Sequence, residues 1–157
     1  MLGGLARWLR MMGNDVLYST KLSDNELLGL SKAEGRVLLT RDFELYKRAV
    51  SRGLEAFYVE GKRESDRLAE VTQRYGLSLE IDMDKSHCPL CNTPIKSSQK
   101  EQLKTQLQSN TYRYYNQFWQ CPNCGQIYWQ GAHWKQISKT ITQAQEKNCF
   151  KTVSANP

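Results

Sequence analysis

Apolar residues recur at helical spacing from the start of the chain. Leu2, Leu5, Ala6, Leu9 and Met12 share one face of a 3.6-residue period, and Gly13 stands where a helix C-cap belongs. Asp15–Ser19 (DVLYS) reads as a short apolar strand. Ser23-Asp24-Asn25-Glu26 has capping-box spacing, so a helix should start there, run through Leu27, Leu28 and Leu30, and stop at Gly35. Arg36–Thr40 (RVLLT) is nearly continuous in apolar side chains, the pattern of a strand covered on both faces. Further along, the pattern predicts a helix from about Phe43 to Arg52, a strand over Ala56–Val59, a helix over Ser65–Tyr75 and a last strand over Ser78–Ile81. Gly53 and Gly76 end the two helices.

Alternation of this kind implies a parallel sheet with right-handed crossovers, flanked by helices. Such a domain ordinarily opens on a strand, and this pattern opens on a helix. The expectation is therefore an α/β sheet lacking its first strand. Backbone groups at that position would need a partner strand, a dimer or a distorted sheet to satisfy them.

The second half carries a different signal. Cys88-Pro89-Leu90-Cys91 and Cys121-Pro122-Asn123-Cys124-Gly125 are two C-P-x-C knuckles separated by 29 residues. Each such turn points two thiolates at one centre, and two turns complete the tetrahedron that Zn²⁺ prefers. Four thiolates leave no open position for water, so this zinc should be structural. The competing reading is two disulfides, but knuckle spacing without a secretory context reads as a metal site. The fifth cysteine, Cys149, falls outside both pairs. Residues 82–87 (DMDKSH) look like a linker. The expected organisation is an α/β domain at 1–84, a zinc ribbon at 85–134, and a Lys/Gln-rich tail at 135–157, partly helical or disordered.

Charge separates the halves further. Residues 1–86 are balanced, while residues 87–157 hold 8 Lys+Arg against 2 Asp+Glu, so the whole +6 excess lies with the cysteines. Tyr112, Tyr114, Tyr115, Phe118, Trp119, Tyr128, Trp129 and Trp134 lie among those charges. Cations neutralise phosphate and rings stack on bases, so this mixture suits nucleic acid. The plainer reading is that a small ribbon uses its aromatics as a core. Arg113, Trp129 and His133 are the candidate RNA contacts in the ribbon. No apolar run approaches the ~18 residues of a membrane span, and no leader pattern is present. A cytoplasmic protein that does not enter a membrane is the expectation.

Open α/β sheets bind ligands beyond the carboxyl ends of their strands. Asp24 follows the first predicted strand, and Asp42 and Glu44 follow the second. Grouped carboxylates at such ends can hold Mg²⁺ or Mn²⁺ for phosphodiester hydrolysis. Acids at helix starts also serve simply as caps and dipole partners.

Several stretches resemble the Mut-seven C-terminal RNase family, a PIN-like group. They are Met1–Gly13 (MLGGLARWLRMMG), Asp15-Val16 with Tyr18, Ser23-Asp24 with Leu27-Leu28, and Gly35–Asp42 (GRVLLTRD). The ribbon resembles the family's ending in Cys88, Cys91-Asn92, Cys121-Pro122-Asn123-Cys124-Gly125, Tyr128-Trp129, Gly131 and His133. The resemblance covers roughly residues 1–134. It implies a PIN-like α/β/α fold and a divalent-metal ribonuclease. Asp24 and Asp42 match acidic positions of the family's site, with Glu44 as a further acid. Arg7, Arg10 and Arg41 flank that site and would grip phosphate, although an exposed Arg on a helix is often only solvated. His133 need not bind zinc beside four cysteines; it would pack by Trp134 or touch RNA. The family's pattern places a strand ending in Asp-Gly before Met-Leu-Gly. A chain starting at that Met would lack this strand and the first catalytic acid.

The leading expectation is thus a metal-dependent endoribonuclease acting on structured RNA, with the ribbon as its docking element. The alternative is a catalytically incomplete module that binds RNA, by analogy ribosomal RNA or the ribosome. A toxin-like protein neutralised by a partner covering the open sheet is a third. Phosphate contacts do not separate RNA from DNA.

Overall fold

A computed structural model describes residues 2–153. The N-terminal half contains helices α1 (Gly3–Met11), α2 (Asp24–Glu34), α3 (Phe43–Ser51) and α4 (Glu64–Tyr75) around strands β1 (Leu38–Thr40) and β2 (Ala56–Tyr58). β1 and β2 pair in parallel, Leu38 with Ala56 and Thr40 with Tyr58. Period-two alternation splits their side chains between two helical layers. Leu38 and Ala56 pack with Leu28, Leu45 and Ala49 of α2 and α3. Leu39 and Phe57 turn the other way, onto a core of Leu5, Trp8, Leu9, Leu68 and Val71 from α1 and α4. The result is a mixed α/β unit with a small parallel sheet.

Local signals hold where they were strong. Ser23 and Glu26 form a reciprocal capping box at α2, and Gly35 closes that helix at φ 63°. Asp66 returns a carboxylate oxygen to the Arg63 N–H at the start of α4.

Two predicted strands are not formed. Asp15–Ser19 is irregular, because its polar backbone groups meet side chains instead of a ladder. Val16 N–H donates to Asn92 Oδ1 at 3.0 Å, and Val16 O accepts from Arg10 Nε at 2.9 Å. The segment lines, with α1 and β1, a cleft of about 880 Å³. Among the described residues β1 pairs with β2 alone, so one of its edges faces no strand. Ser78–Ile81 is likewise not a strand; Leu79 is buried in the core, and its carbonyl accepts from Gln145 Nε2 at 3.0 Å.

The ribbon contains strands β3 (Lys96–Ser98), β4 (Phe118–Gln120) and β5 (Ile127–Tyr128), antiparallel in the order β3-β4-β5. A short helix, α5 (Ser109–Tyr114), lies between the first two. One side packs Ile95 and Trp119 around Cys88 and Cys121. The other packs Phe118 with Leu103 and Ile127, with Trp129 beside them.

Helix α6 (Trp134–Val153) covers most of the stretch expected to be a partly helical or disordered tail, whose residues 154–157 lie outside the described residues. It packs on α4, placing Ile141 and Ala144 in the N-terminal core. Lys147 bonds Ser65 Oγ at 3.2 Å and pairs with Asp66 Oδ1. No helix among the described residues is long and apolar enough to cross a membrane.

This junction predicts a pH dependence. The Lys147 ammonium, and secondarily the Arg63 N–H, hold Asp66 below the ordinary carboxylate range. A carboxylate with a depressed folded pKa contributes stability that is complete above its unfolded value, about 3.9. That contribution is lost as pH falls through the lower folded value. Amide exchange in α6 should therefore stay slow from neutral pH to about 4 and accelerate below it. Asp66→Asn should reduce that acid sensitivity; an unchanged acid midpoint would contradict the assignment.

Candidate functional site

The four knuckle cysteines converge. Their sulfurs lie within 4.8 Å of one another, with Cys91 to Cys121 at 3.4 Å and Cys88 to Cys124 at 3.6 Å. A tetrahedral zinc with Zn–S bonds of about 2.3 Å separates its sulfurs by about 3.8 Å, close to these values. Thiol sulfur is the donor zinc prefers, so the residues fit a metal ion such as zinc.

Both knuckles are built the same way. Asn92 N–H donates to Cys88 O at 2.8 Å, and Gly125 N–H to Cys121 O at 2.9 Å. Each donor is left-handed, Asn92 at φ 68° and Gly125 at φ 74°. Glycine reaches that region freely, and asparagine is among the residues that tolerate it. Polar neighbours then tune the sulfurs. Tyr128 Oη lies 3.0 Å from Cys88 Sγ, and burial first, then its bond to Cys88, raises its pKa. The Thr93 hydroxyl, 3.4 Å from Cys91 Sγ, holds that thiol down to about 5. Tyr128 and Thr93 were not singled out from sequence as supports of the metal; the αL residue after each second cysteine was the available signal.

The knuckle is also the joint between the halves. Arg10 is only 6% exposed, although a solvent-facing phosphate contact was expected. Its Nη1 donates to Pro89 O at 2.9 Å and Leu90 O at 3.4 Å, in addition to the Nε bond to Val16 O. Arg10 is therefore committed to the first knuckle rather than to RNA. A planar guanidinium can serve several carbonyls at once, which explains why an arginine closes this junction. Arg10 O accepts from His87 N–H, and Met11 O from Ser86 Oγ. Asn92 reaches Asp15 through Nδ2, and Asp15 pairs with Arg36 at 2.7 Å. These two partners, Arg36 first, hold Asp15 below its ordinary range.

The expected acids are placed less tightly. Asp42 caps α3, its Oδ1 accepting from Glu44 N–H at 2.9 Å and Leu45 N–H at 3.0 Å. Oδ2 takes no part in that cap. Asp24 pairs with Arg48 at 3.0 Å, and the exposed Glu44 pairs with Lys47 at 2.7 Å. Among the described residues the cysteines alone form a group of three or more His, Cys, Asp or Glu able to share an ion, so Asp24, Asp42 and Glu44 are not brought together. Arg41 and Asp42 line the cleft, as does Asp15, an acid the sequence reading passed over. Arg7 is exposed on α1. In the ribbon Arg113 is exposed, Trp129 packs against Tyr115 and Phe118, and His133 is exposed at the start of α6.

A small parallel sheet between helices, joined to a four-cysteine ribbon through a buried arginine, defines a mixed α/β protein with a candidate structural metal centre. The chain belongs to the Mut7-C RNAse domain family, whose model matches residues 1–141. The match spans both knuckles and the start of α6, and agrees with the resemblance read from the motifs. It gives the chain a ribonuclease-related function, with RNA as the implied substrate. No curated protein and no solved structure matches the chain.

Proposed function

We propose that the chain is a metal-dependent endoribonuclease with a PIN-like fold, acting on structured RNA that its basic ribbon docks. The observation that carries this reading is Asp42. It stands at the carboxyl end of a parallel strand, beside Arg41 on the rim of the large cleft, in a chain of a ribonuclease family. Its cap uses one carboxylate oxygen and leaves the other. Carboxylate oxygens suit Mg²⁺ or Mn²⁺, and such an ion, when bound, lowers the pKa of a water and stabilises charge on phosphate. Asp42, Asp24 and Glu44 are the proposed holders. Asp24 would have to exchange Arg48 for the ion, and no step is assigned to an arrangement the three acids do not form. Arg41 and Arg7 would bind phosphate oxygens, and exposed ribbon cations such as Arg113 would hold the RNA backbone.

A second reading is favoured by the same dispersal of acids. On it the chain binds RNA without cutting. One experiment separates the two: labelled structured RNA incubated with Mn²⁺ and either the parent chain or Asp42→Asn. Asparagine caps helices as well as aspartate, so the variant should fold normally. Cleavage by the parent, reduced at least about a hundredfold in the variant, is the expected result. Equal cleavage by both chains would eliminate Asp42 as a metal holder. Salt-sensitive binding without cleavage by either would establish the binding module.

A further inference from the structure

Three aromatic rings gather around Phe43, the residue after Asp42, and none of them belongs to either buried core of the N-terminal half. Phe43 opens α3, Tyr46 lies one turn further on, and Tyr58 ends β2. The centroids are 5.6 Å apart for Phe43 and Tyr58, 6.2 Å for Phe43 and Tyr46, and 6.1 Å for Tyr46 and Tyr58. Phe43 is 54% exposed. An isolated exposed apolar residue needs no explanation, but this ring is held by two others at the carboxyl ends of both parallel strands. Lys47 lies 5.1 Å from the Phe43 centroid while pairing with Glu44, and Arg41 is exposed two residues before Phe43.

We propose that Phe43, Tyr46 and Tyr58 form a stacking platform for unpaired bases of single-stranded RNA, next to Asp42. The proposal rests on the reading of the chain as a protein that acts on RNA, and deepens it. Unpaired bases in loops and bulges are splayed onto aromatic faces, whereas bases inside an A-form helix are not available to side chains. Stacking is tolerant of base identity because every base has a π-face. The phosphates flanking a stacked base need cations nearby, which Arg41 and Lys47 supply. A protein partner would also cover rings, but it would not account for their place at the strand ends beside the acid and two exposed cations. The platform would select single-stranded segments within a folded RNA and set the scissile phosphate close to Asp42.

The test is binding of a fluorescein-labelled oligoadenylate, about eight nucleotides long, by the full chain. Phe43→Ala should weaken binding about tenfold, and Phe43→Trp should restore it, because stacking and not shape is required. Helical circular dichroism of both variants checks the fold. Unchanged affinity in Phe43→Ala overturns the platform, as does loss of self-association with RNA binding intact, which would make the rings an interface between copies. If Phe43→Ala has no effect while Arg113→Ala weakens binding, the platform falls and the RNA reading stands. A parent chain that binds no RNA removes both.

Discussion

Stripping the metal from a zinc-loaded chain with a chelator should unfold the ribbon while the α4–α6 pair stays formed. Structural zinc in small domains contributes about 10–16 kcal/mol of apparent binding energy, and that energy is folding energy. It rivals the whole stability of an ordinary domain, about 5–15 kcal/mol. The ribbon has little else: Ile95, Trp119 and the cysteines on one side, and Phe118, Leu103 and Ile127 on the other. The N-terminal core is independent of the sulfurs, since Leu5, Leu9, Leu68, Val71 and Ala144 close on one another. One part of that half should nevertheless respond. Asp15 and Val16 are bonded to Asn92, the left-handed residue of the first knuckle, and both line the cleft. Hydrogen exchange should therefore show lost protection at Asn92, Cys121 and Gly125, partial loss at Val16, and retention at Leu68–Thr72. A stripped chain that keeps protection across the knuckles would show that the four cysteines do not hold the ribbon through a metal. Uniform collapse, α4 included, would show that the two halves fold as one.

Arg10→Ala should be the most damaging single substitution outside the cysteines, at about 3 kcal/mol, because hydrogen bonds to a charged group contribute about 1.5–3 kcal/mol each and their loss strands buried acceptors. The acceptors are Val16 O, Pro89 O and Leu90 O, from two segments whose other link is Asn92, bonded to Val16 N–H and to Asp15. Arg10→Lys should recover only part of the loss, since one ammonium cannot reproduce the planar fork. Urea denaturation of the parent and both variants measures this. Arg7→Ala, one turn earlier and exposed, is the control and should stay within about 0.5 kcal/mol of the parent. Equal effects at positions 7 and 10 would mean that the junction contributes nothing.

The two expectations describe one design. The first knuckle contributes two of the four clustered cysteines that could hold a metal and, through Arg10 and Asn92, bonds the cleft-lining segment. If both results hold, metal loading in the ribbon would bear on the cleft through Asn92, Asp15 and Val16.

Much of this protein is written in short-range signals. The capping box at Ser23 and Glu26, the left-handed glycines after α2 and α4, and the apolar run before Thr40 each involve residues close in sequence, so they act before any tertiary contact exists. The cysteine spacing is equally local: each knuckle is a closed turn, and only the meeting of the two is distant. Those features, with the family they indicate, followed from the amino-acid order. Tertiary structure decided the rest. Asp15–Ser19 has the composition of a strand, but a strand exists only when a neighbour accepts its ladder, and here side chains from α1 and the ribbon take those bonds. Arg10 looks like any surface arginine of an amphipathic helix until Pro89 and Leu90, nearly eighty residues away, are placed over it. Residues 135–157 read as a Lys/Gln-rich tail, partly helical or disordered, because their apolar positions are few. Ile137, Ile141 and Ala144 pack on the core against α4, and Gln145 and Lys147 add polar contacts there. Sequence specifies the pieces whose partners lie within a turn or two; burial, and the competition of distant polar groups for the same backbone, decides the others.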